Sequence, residues 1–405
     1  MSPIFASAGR SSPSDGGNCG IVRDVSIVGL GQTPVAEHWD KDLRVLAAEA
    51  ILAALAEAQI ERPEMLYVGN MLSGRLCDQE NLGALVADHA GLRGVEAIKV
   101  EAAGASGAAA VRMAYVAVAG GLCDVAVACG VEKMTDTAAT EAIAGMATAL
   151  DAIYEAQHGL SLAAASALLM QRYMHEFGYE HQDFCGFSVN AHRNAMSNPR
   201  AMYHRAIRPE AYAQAGAIAA PLTVLDSAGM GDGAAAVVLT PTEFARTQGL
   251  PAVRIAGSAV TTDSVALHDR RDSLSLEAAH LSAQRAYAQA QVGPENIDFF
   301  EPHDAYSILA VLSLEASGFA DRGQGVRLAM EDQISLSGRI PICTMGGLKA
   351  RGHPIGASGA YQIVEAALQL RGRAGDDQVR GCRVGMTQSI GGSGAIAITH
   401  ILEKA

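Results

Sequence analysis

Aromatic side chains are scarce in this chain: they make up 5% of the 405 residues, and there is a single Trp. A core without them is filled by small aliphatics, and 49% hydrophobic residues are ample to bury one and exclude a disordered chain. Cations are also in deficit, with Lys plus Arg at 30 against 43 Asp plus Glu. The resulting net charge of −13 excludes general binding to nucleic-acid backbones. An anionic small ligand would need locally placed cations or helix N-termini. No apolar run approaches the ~20 residues needed to cross a bilayer; the longest charge-free stretch lies near 113–123. The seven Cys, at 19, 77, 123, 129, 185, 343 and 382, form no CxxC pair and no regular spacing. A disulfide framework and a structural metal site are thereby excluded, and free thiols in a reducing cytoplasm are expected. There is no Walker loop, HExxH or GxSxG, and Gly29-Leu30-Gly31 lacks the third glycine of a dinucleotide-binding turn.

What the chain does have is glycine, 43 residues of it, punctuating a regular alternation of short apolar runs and helical periods. Strands are expected at 24–29, 66–69, 97–100 and 124–130, with helices at 42–60, 81–90 and 106–118 between them. The same alternation resumes after 252, with strands at 253–260, 297–300, 383–388 and 395–401 and helices at 275–291, 305–318 and 361–371. Strands alternating with helices of this length imply parallel sheets covered on both faces. The Ser- and Gly-rich start, 1–22, reads as a flexible tail. The middle third is rich in Met, Ala and His and shows no clear strand until 234–239, so about 132–225 reads as an inserted loop domain. Its histidines (His158, His175, His181, His192, His204) lack metal-ligand pairing and are expected to be solvated.

One feature goes beyond a generic α/β reading. Gly104-Ala105-Ser106-Gly107 and Gly356-Ala357-Ser358-Gly359 are identical, lie 252 residues apart, and each opens a helix followed by a strand. A repeat of over half the chain length points to internal duplication rather than a solenoid. The halves are then 23–245, including the loop domain, and 246–405. Small residues at the start of a helix let a ligand or another backbone come close.

Two histidines are candidates for chemistry. His353 sits in the glycine-rich loop 346–356, where it suits a general base or a structural imidazole bonded to a loop carbonyl. His303 stands where a strand ends and a helix begins, the usual place of ligand crevices in α/β sheets; its neighbour Asp304 has an alternative role as a helix cap. The glycine turn 388–394 offers either an oxyanion hole or a plain hairpin.

Taken together, Gly130-Val-Glu-Lys-Met-Thr-Asp136, Asp232-Gly-Ala-Ala-Ala-Val-Val238, His303-Asp-Ala-Tyr306, Gly346-Gly-Leu-Lys-Ala-Arg-Gly-His-Pro354 and Gly391-Gly-Ser-Gly394 resemble the thiolase superfamily. The similarity runs from Arg23 to the C-terminus and is nearest to archaeal-type and sterol-carrier-type acyl-CoA thiolases. The resemblance implies a five-layer αβαβα fold of two duplicated halves with an inserted loop domain, and Claisen-type acyltransferase chemistry on CoA thioesters. Coenzyme A thioesters are then substrates, with no further cofactor and no metal. It implies a homodimer or a dimer of dimers, and for archaeal-type relatives a small zinc-ribbon/OB-fold partner protein. By position, His353 resembles the base that activates the nucleophile, and His303 the residue that holds a thioester oxygen, usually through water. The N–H groups of Gly391 and Gly104 resemble an oxyanion hole. Lys349 and the segment 190–199 fall where the family's CoA-facing loops lie.

The departure is at Gly104, where the family carries the nucleophilic Cys of a Cys-Ala-Ser-Gly motif. Glycine has no side chain to acylate, Ser106 would point elsewhere, and Cys343 is the only thiol whose loop could lie nearby. Two further readings follow: a non-covalent aldolase or decarboxylase acting on acyl-CoA, and a catalytically silent acyl-CoA-binding partner subunit. A Cys restored at 104 is expected to be accepted by the backbone.

Overall fold

Short apolar segments and Ala-rich helices build a mixed α/β structure in the computed structural model, which describes residues 22–405. The expected tail, apart from Val22, lies outside the described residues. Eleven strands are formed: β1 (Val25–Gln32), β2 (Met65–Gly69), β3 (Glu96–Val100), β4 (Ala126–Glu132), β5 (Ala217–Ala219), β6 (Leu222–Thr223), β7 (Gly233–Pro241), β8 (Val253–Thr262), β9 (Phe299–Glu301), β10 (Val384–Gly391) and β11 (Ile396–Lys404). Nine of them share one sheet in the order β3-β2-β4-β7-β1-β8-β11-β10-β9, and β5 and β6 pair as a separate hairpin.

The order displays the duplication. From the seam outward, β1 and β8 each pair antiparallel with a partner (β7, β11), which pairs antiparallel with the next (β4, β10), which pairs parallel with the next (β2, β9). At the seam only Ser26–Arg254 and Ile27–Val253 are paired. The expectation of parallel sheets is therefore corrected to a mixed sheet. For β10 and β11 the reason is local, since a tight turn with no crossover helix forces antiparallel pairing; β1–β7, β1–β8, β8–β11 and β4–β7 join strands far apart in sequence.

Alternation along the strands feeds two cores. In β7, Ala234, Ala236 and Val238 pack under the outer helix Leu43–Ala58, whereas Ala235, Val237 and Leu239 face the helices Ser106–Ala119 and Ser358–Leu370. Residues of both half-sheets, among them Ile27, Val253, Ile255, Phe299 and Leu402, converge on those two central helices. The outer helices Glu277–Ala290 and Ser307–Ala316 cover the second half. Five layers result, helix–sheet–helix–sheet–helix.

The repeated tetrapeptide explains how the central helices meet. A Cβ on Gly107 would lie 2.7 Å from Ala360 N and 3.0 Å from Gly356 O, and one on Gly359 would strike Ala108 N. The two copies cross each other at backbone contact, which only glycine permits. Between β4 and β7 the chain forms the helices Ala139–Met146, Leu162–Phe177, Cys185–Ala195 and Pro209–Ala213. No helix of the described residues is long and apolar enough to cross a membrane.

Candidate active site

β9 and β10 run parallel, and both end at one edge of a cavity of about 930 Å³. Gly104, His303, Ile390, Gly392 and His353 all line it. The His303 loop is held by its strand and by the helix behind it. Gln362 donates from Nε2 to the carbonyls of Glu301 (3.0 Å), Pro302 (2.7 Å) and Gln388 (3.2 Å), tying the ends of β9 and β10 together. Glu301 itself is buried and accepts from Thr344 N (2.9 Å) and Oγ1 (2.5 Å). Asp304 does act as a cap, although not of its own helix: its carboxylate accepts from Leu348 N (2.6 Å) and Lys349 N (3.2 Å), fixing the short helix Gly347–Arg351 that precedes His353.

His353 reaches the same cavity from that loop. Its N–H donates to Gly229 O (2.8 Å), and its ring stands edge-on to His303 with centroids 5.3 Å apart. Ser358 Oγ donates to Pro354 O (3.2 Å) and lies 2.7 Å from His353 Nδ1. The single hydroxyl proton is thereby used, so Nδ1–H donates to Ser358 and Nε2 keeps its lone pair. Burial drives the imidazoles toward the neutral form. It pushes His303 down to about 3, and holds His353 well below its ordinary value, with His303 and the Arg351 guanidinium acting in the same direction. Arg351 is itself fully buried, 3.0 Å from Glu365 and with its guanidinium 4.6 Å from the Tyr361 ring centroid.

Gly104 lies beneath His303. A Cβ built on it would be 3.1 Å from His303 Cε1, 3.3 Å from Nε2 and 2.8 Å from Ile390 O. Its own N–H meets no acceptor among the described residues. Gly391 is adjacent, its Cα facing Ala102 O, and the turn after it is a hairpin between β10 and β11. The four sequence-derived residues Gly104, His303, His353 and Gly391 are thus brought together, although only the first three border the cavity directly.

Other candidates fall away. Ser106 Oγ accepts from Ala102 N (2.9 Å) and donates to Ala103 O (2.7 Å), closing its own turn. Cys343 is buried beside Asp304, its thiol pKa raised well above the ordinary value by burial, and it does not line the cavity. No thiol does among the described residues, and none of the described His, Cys, Asp and Glu form a group that could hold a metal ion.

Two of the five middle-segment histidines are not solvated. His192 is buried, bonded to Arg205 O (2.9 Å), stacked on Tyr203 and part of the cavity wall. His181 is half-buried and bonds Asp226 (2.7 Å) while stacking on Tyr212. These rings are drawn in because the loop segment folds over the cavity, which spacing alone does not reveal. Ser358 and Gln362 were also missed. Their signal was position: five residues after His353, and one turn further along the same helix.

The family model described as "Thiolase, N-terminal domain" matches residues 25–243, and "Thiolase C-terminal domain-like" matches 259–404. Acetyl-CoA acetyltransferase of Methanothermobacter thermautotrophicus is 40% identical over 385 residues, covering 95% of this chain and all of the relative. Benzoylsuccinyl-CoA thiolase subunit BbsB of Thauera aromatica is 35% identical, covering 91% of this chain and 95% of the relative. Among solved structures, an Ltp2–ChsH2(DUF35) aldolase superposes with a TM-score of 0.80 at 25% identity, covering 94% of this chain and 97% of that one. With both family models matched in order across the two half-sheets, the chain belongs to the thiolase family.

Proposed function

We propose that this chain is an acyl-CoA enzyme of the thiolase, acyltransferase type, which makes or breaks the carbon–carbon bond next to a CoA thioester carbonyl. The observation that carries the reading is the meeting of His303 and His353 over Gly104 in one largely apolar cavity. Two neutral imidazoles, with Nε2 of His353 free, beside the unclaimed N–H of Gly104 suit proton transfer at the α-carbon and the holding of an oxyanion. The names of the relatives, acetyl-CoA acetyltransferase and benzoylsuccinyl-CoA thiolase, support CoA thioesters as substrates. No cofactor beyond the thioester itself is needed.

The missing side chain at 104 bears on the form of the reaction. Because no thiol stands on the cavity wall among the described residues, a second reading is favoured beside the acyl transfer, an aldolase-type cleavage that breaks the bond without an acyl-enzyme. For a β-hydroxyacyl-CoA, His353 Nε2 takes the hydroxyl proton and the Cα–Cβ bond breaks to release a carbonyl compound. The electron pair passes to the thioester as an enolate, whose oxygen is held by His303 through water. The protonated His353 then returns the proton to the α-carbon. The N–H of Gly104, which meets no acceptor among the described residues, is assigned to the oxygen on the departing carbon. The structural likeness to an aldolase supports this route.

That neighbour's name also pairs it with a DUF35 protein, which supports a small partner for this chain. A homodimer is supported by the unpaired outer edge of β3 and by exposed Ile98, Met113 and Val116. The free thiols suit the cytoplasm.

The test is product analysis with a β-hydroxyacyl-CoA, and with a β-ketoacyl-CoA plus CoA, alongside intact-mass measurement of the protein. Cleavage with an unchanged protein mass is expected. An acylated residue would overturn the non-covalent route. Absence of both cleavage and thioester binding would overturn the acyl-CoA reading as a whole.

A further inference from the structure

Lys349 lies four residues before His353, on the helix Gly347–Arg351, and lines the same cavity as both histidines. Its backbone is held by Asp304, as described, and by the hydrogen bond from Tyr203 N to Ala350 O (3.1 Å). The residue is 5% exposed, yet among the described residues its ammonium has no hydrogen-bond acceptor and no carboxylate within ion-pair distance. Other buried cations have partners: Lys133 pairs with Asp136 (2.6 Å) and Asp232 (2.7 Å), Arg351 with Glu365 (3.0 Å), and Arg270 donates to Ser393 O (2.6 Å) and Oγ (3.0 Å).

The carboxylates nearest to Lys349 are committed elsewhere. Asp304 is taken up by the two backbone N–H groups. Asp226 accepts from His181 (2.7 Å), Thr223 N (2.9 Å), Thr223 Oγ1 (2.7 Å), Ser307 (2.5 Å) and Tyr212. Burial lowers the Lys349 pKa to about 8, which leaves the side chain protonated at neutral pH. The cavity it lines has a largely apolar wall that includes Leu225, Met230, Leu309 and Ile355, and on its other side Lys349 borders a small pocket with Asp226, Asp304 and Ser307. A buried cation with no partner is costly to keep, and an anion arriving with the ligand would offset that cost. The CoA phosphates are poor candidates, being strongly hydrated and better served by the exposed Arg205 and Arg208 on the same cavity.

We propose that Lys349 is a specificity-determining residue that pairs with a carboxylate on the acyl group, so that the site takes the CoA thioester of a dicarboxylic acid. This rests on the acyl-CoA reading above.

The experiment measures binding to unreactive thioesters in matched pairs: succinyl- and butyryl-CoA, glutaryl- and valeryl-CoA, adipyl- and hexanoyl-CoA, suberyl- and octanoyl-CoA. In at least one pair the dicarboxylic member should bind about tenfold more tightly, as suits a hydrogen bond to a charged group. In Lys349→Met the ratio should fall toward one. If monocarboxylic thioesters bind and no pair shows an advantage, or if the advantage survives Lys349→Met, the Lys349 assignment falls alone. If nothing binds in either series, the acyl-CoA reading falls with it. The wild-type comparison decides by itself should the variant fail to fold.

Discussion

Restoring a thiol at position 104 is the most direct probe of how much of the site remains. The backbone permits it: the left-handed residue of this turn is Ala103, at φ 49°, and Gly104 is not in that region. Space is tighter than the sequence led us to expect. The new Cβ would lie 2.8 Å from Ile390 O and 3.1 Å from the His303 ring, both closer than ordinary contact. Either the end of β10 or the His303 loop has to yield by a few tenths of an ångström. Overpacking of that kind costs about 1–3 kcal/mol, and a thermal midpoint a few degrees lower is expected in Gly104→Cys. Against that strain, the start of a helix and a neighbouring imidazole can bring a thiol from about 8.5 toward neutrality. With acetyl-CoA or acetoacetyl-CoA, the variant is expected to yield an acylated peptide containing residue 104, detected by mass spectrometry. Adding His353→Ala should abolish it. A variant that folds, is alkylated by a small thiol probe and still takes no acyl group would refute the argument, because the remaining groups would then not be arranged for thiolase chemistry.

Three further outcomes follow from the same geometry. Folded His303 takes a proton only near pH 3, whereas the unfolded imidazole takes one near 6.5, so the stability of the neutral form is complete above 6.5 and is lost as pH falls. Between pH 7.5 and 5 the wild type should lose about 2 kcal/mol more than His303→Gln in urea denaturation; equal losses would count against a buried neutral ring. Gly359→Ala drives a Cβ into Ala108 N across the central helix crossing and should cost about 3 kcal/mol or more, or leave no soluble protein; wild-type melting would show that the helices are not in backbone contact. Arg351→Met strands the buried Glu365 and should cost about 3–5 kcal/mol, with Glu365→Gln in the same chain restoring much of it; no rescue in the double variant would remove the ion pair as the cause.

Much of the architecture was legible because it is written in local periods. Alternating runs such as 24–29 and 124–130 became β1 and β4, and the duplicated Gly-Ala-Ser-Gly pointed to two halves. Apart from the local β10–β11 hairpin, strand direction was not legible, because the partner depends on contacts far along the chain: β1 pairs with β7 some 200 residues later. The site was half legible. His303 and His353 each sit next to a structural breaker, Pro302 or Pro354, and among glycines or at a strand end, which marks a position fixed for a purpose. His192 carries no such mark, lying inside a helix where only the fold of the whole segment decides whether it meets water. Lys349 was visible as part of a loop but not as an unpaired cation, since pairing depends on who else claims Asp226 and Asp304.

The duplication also accounts for the difference between the two equivalent strand ends. β4 and β10 occupy equivalent places, and each ends against the Gly-Ala-Ser-Gly turn of the opposite half. At the end of β4 stands Glu132, whose buried carboxylate accepts from Gly356 N (3.0 Å), Met71 N (3.0 Å), Leu72 N (3.1 Å) and Asn70 Nδ2 (2.7 Å). That carboxylate fills the crevice and satisfies every donor turned toward it. At the end of β10 stands Gly391, where a side chain would collide with Ala102 O. Among the described residues nothing there claims the N–H of Gly104, and His303 occupies the position of the loop that in the other half feeds its N–H groups to Glu132. One copy of the ancestral crevice is sealed by an internal anion. The other leaves the N–H of Gly104 without an acceptor among the described residues, and this is the physical reason for proposing chemistry at Gly104 although that residue has no side chain to contribute.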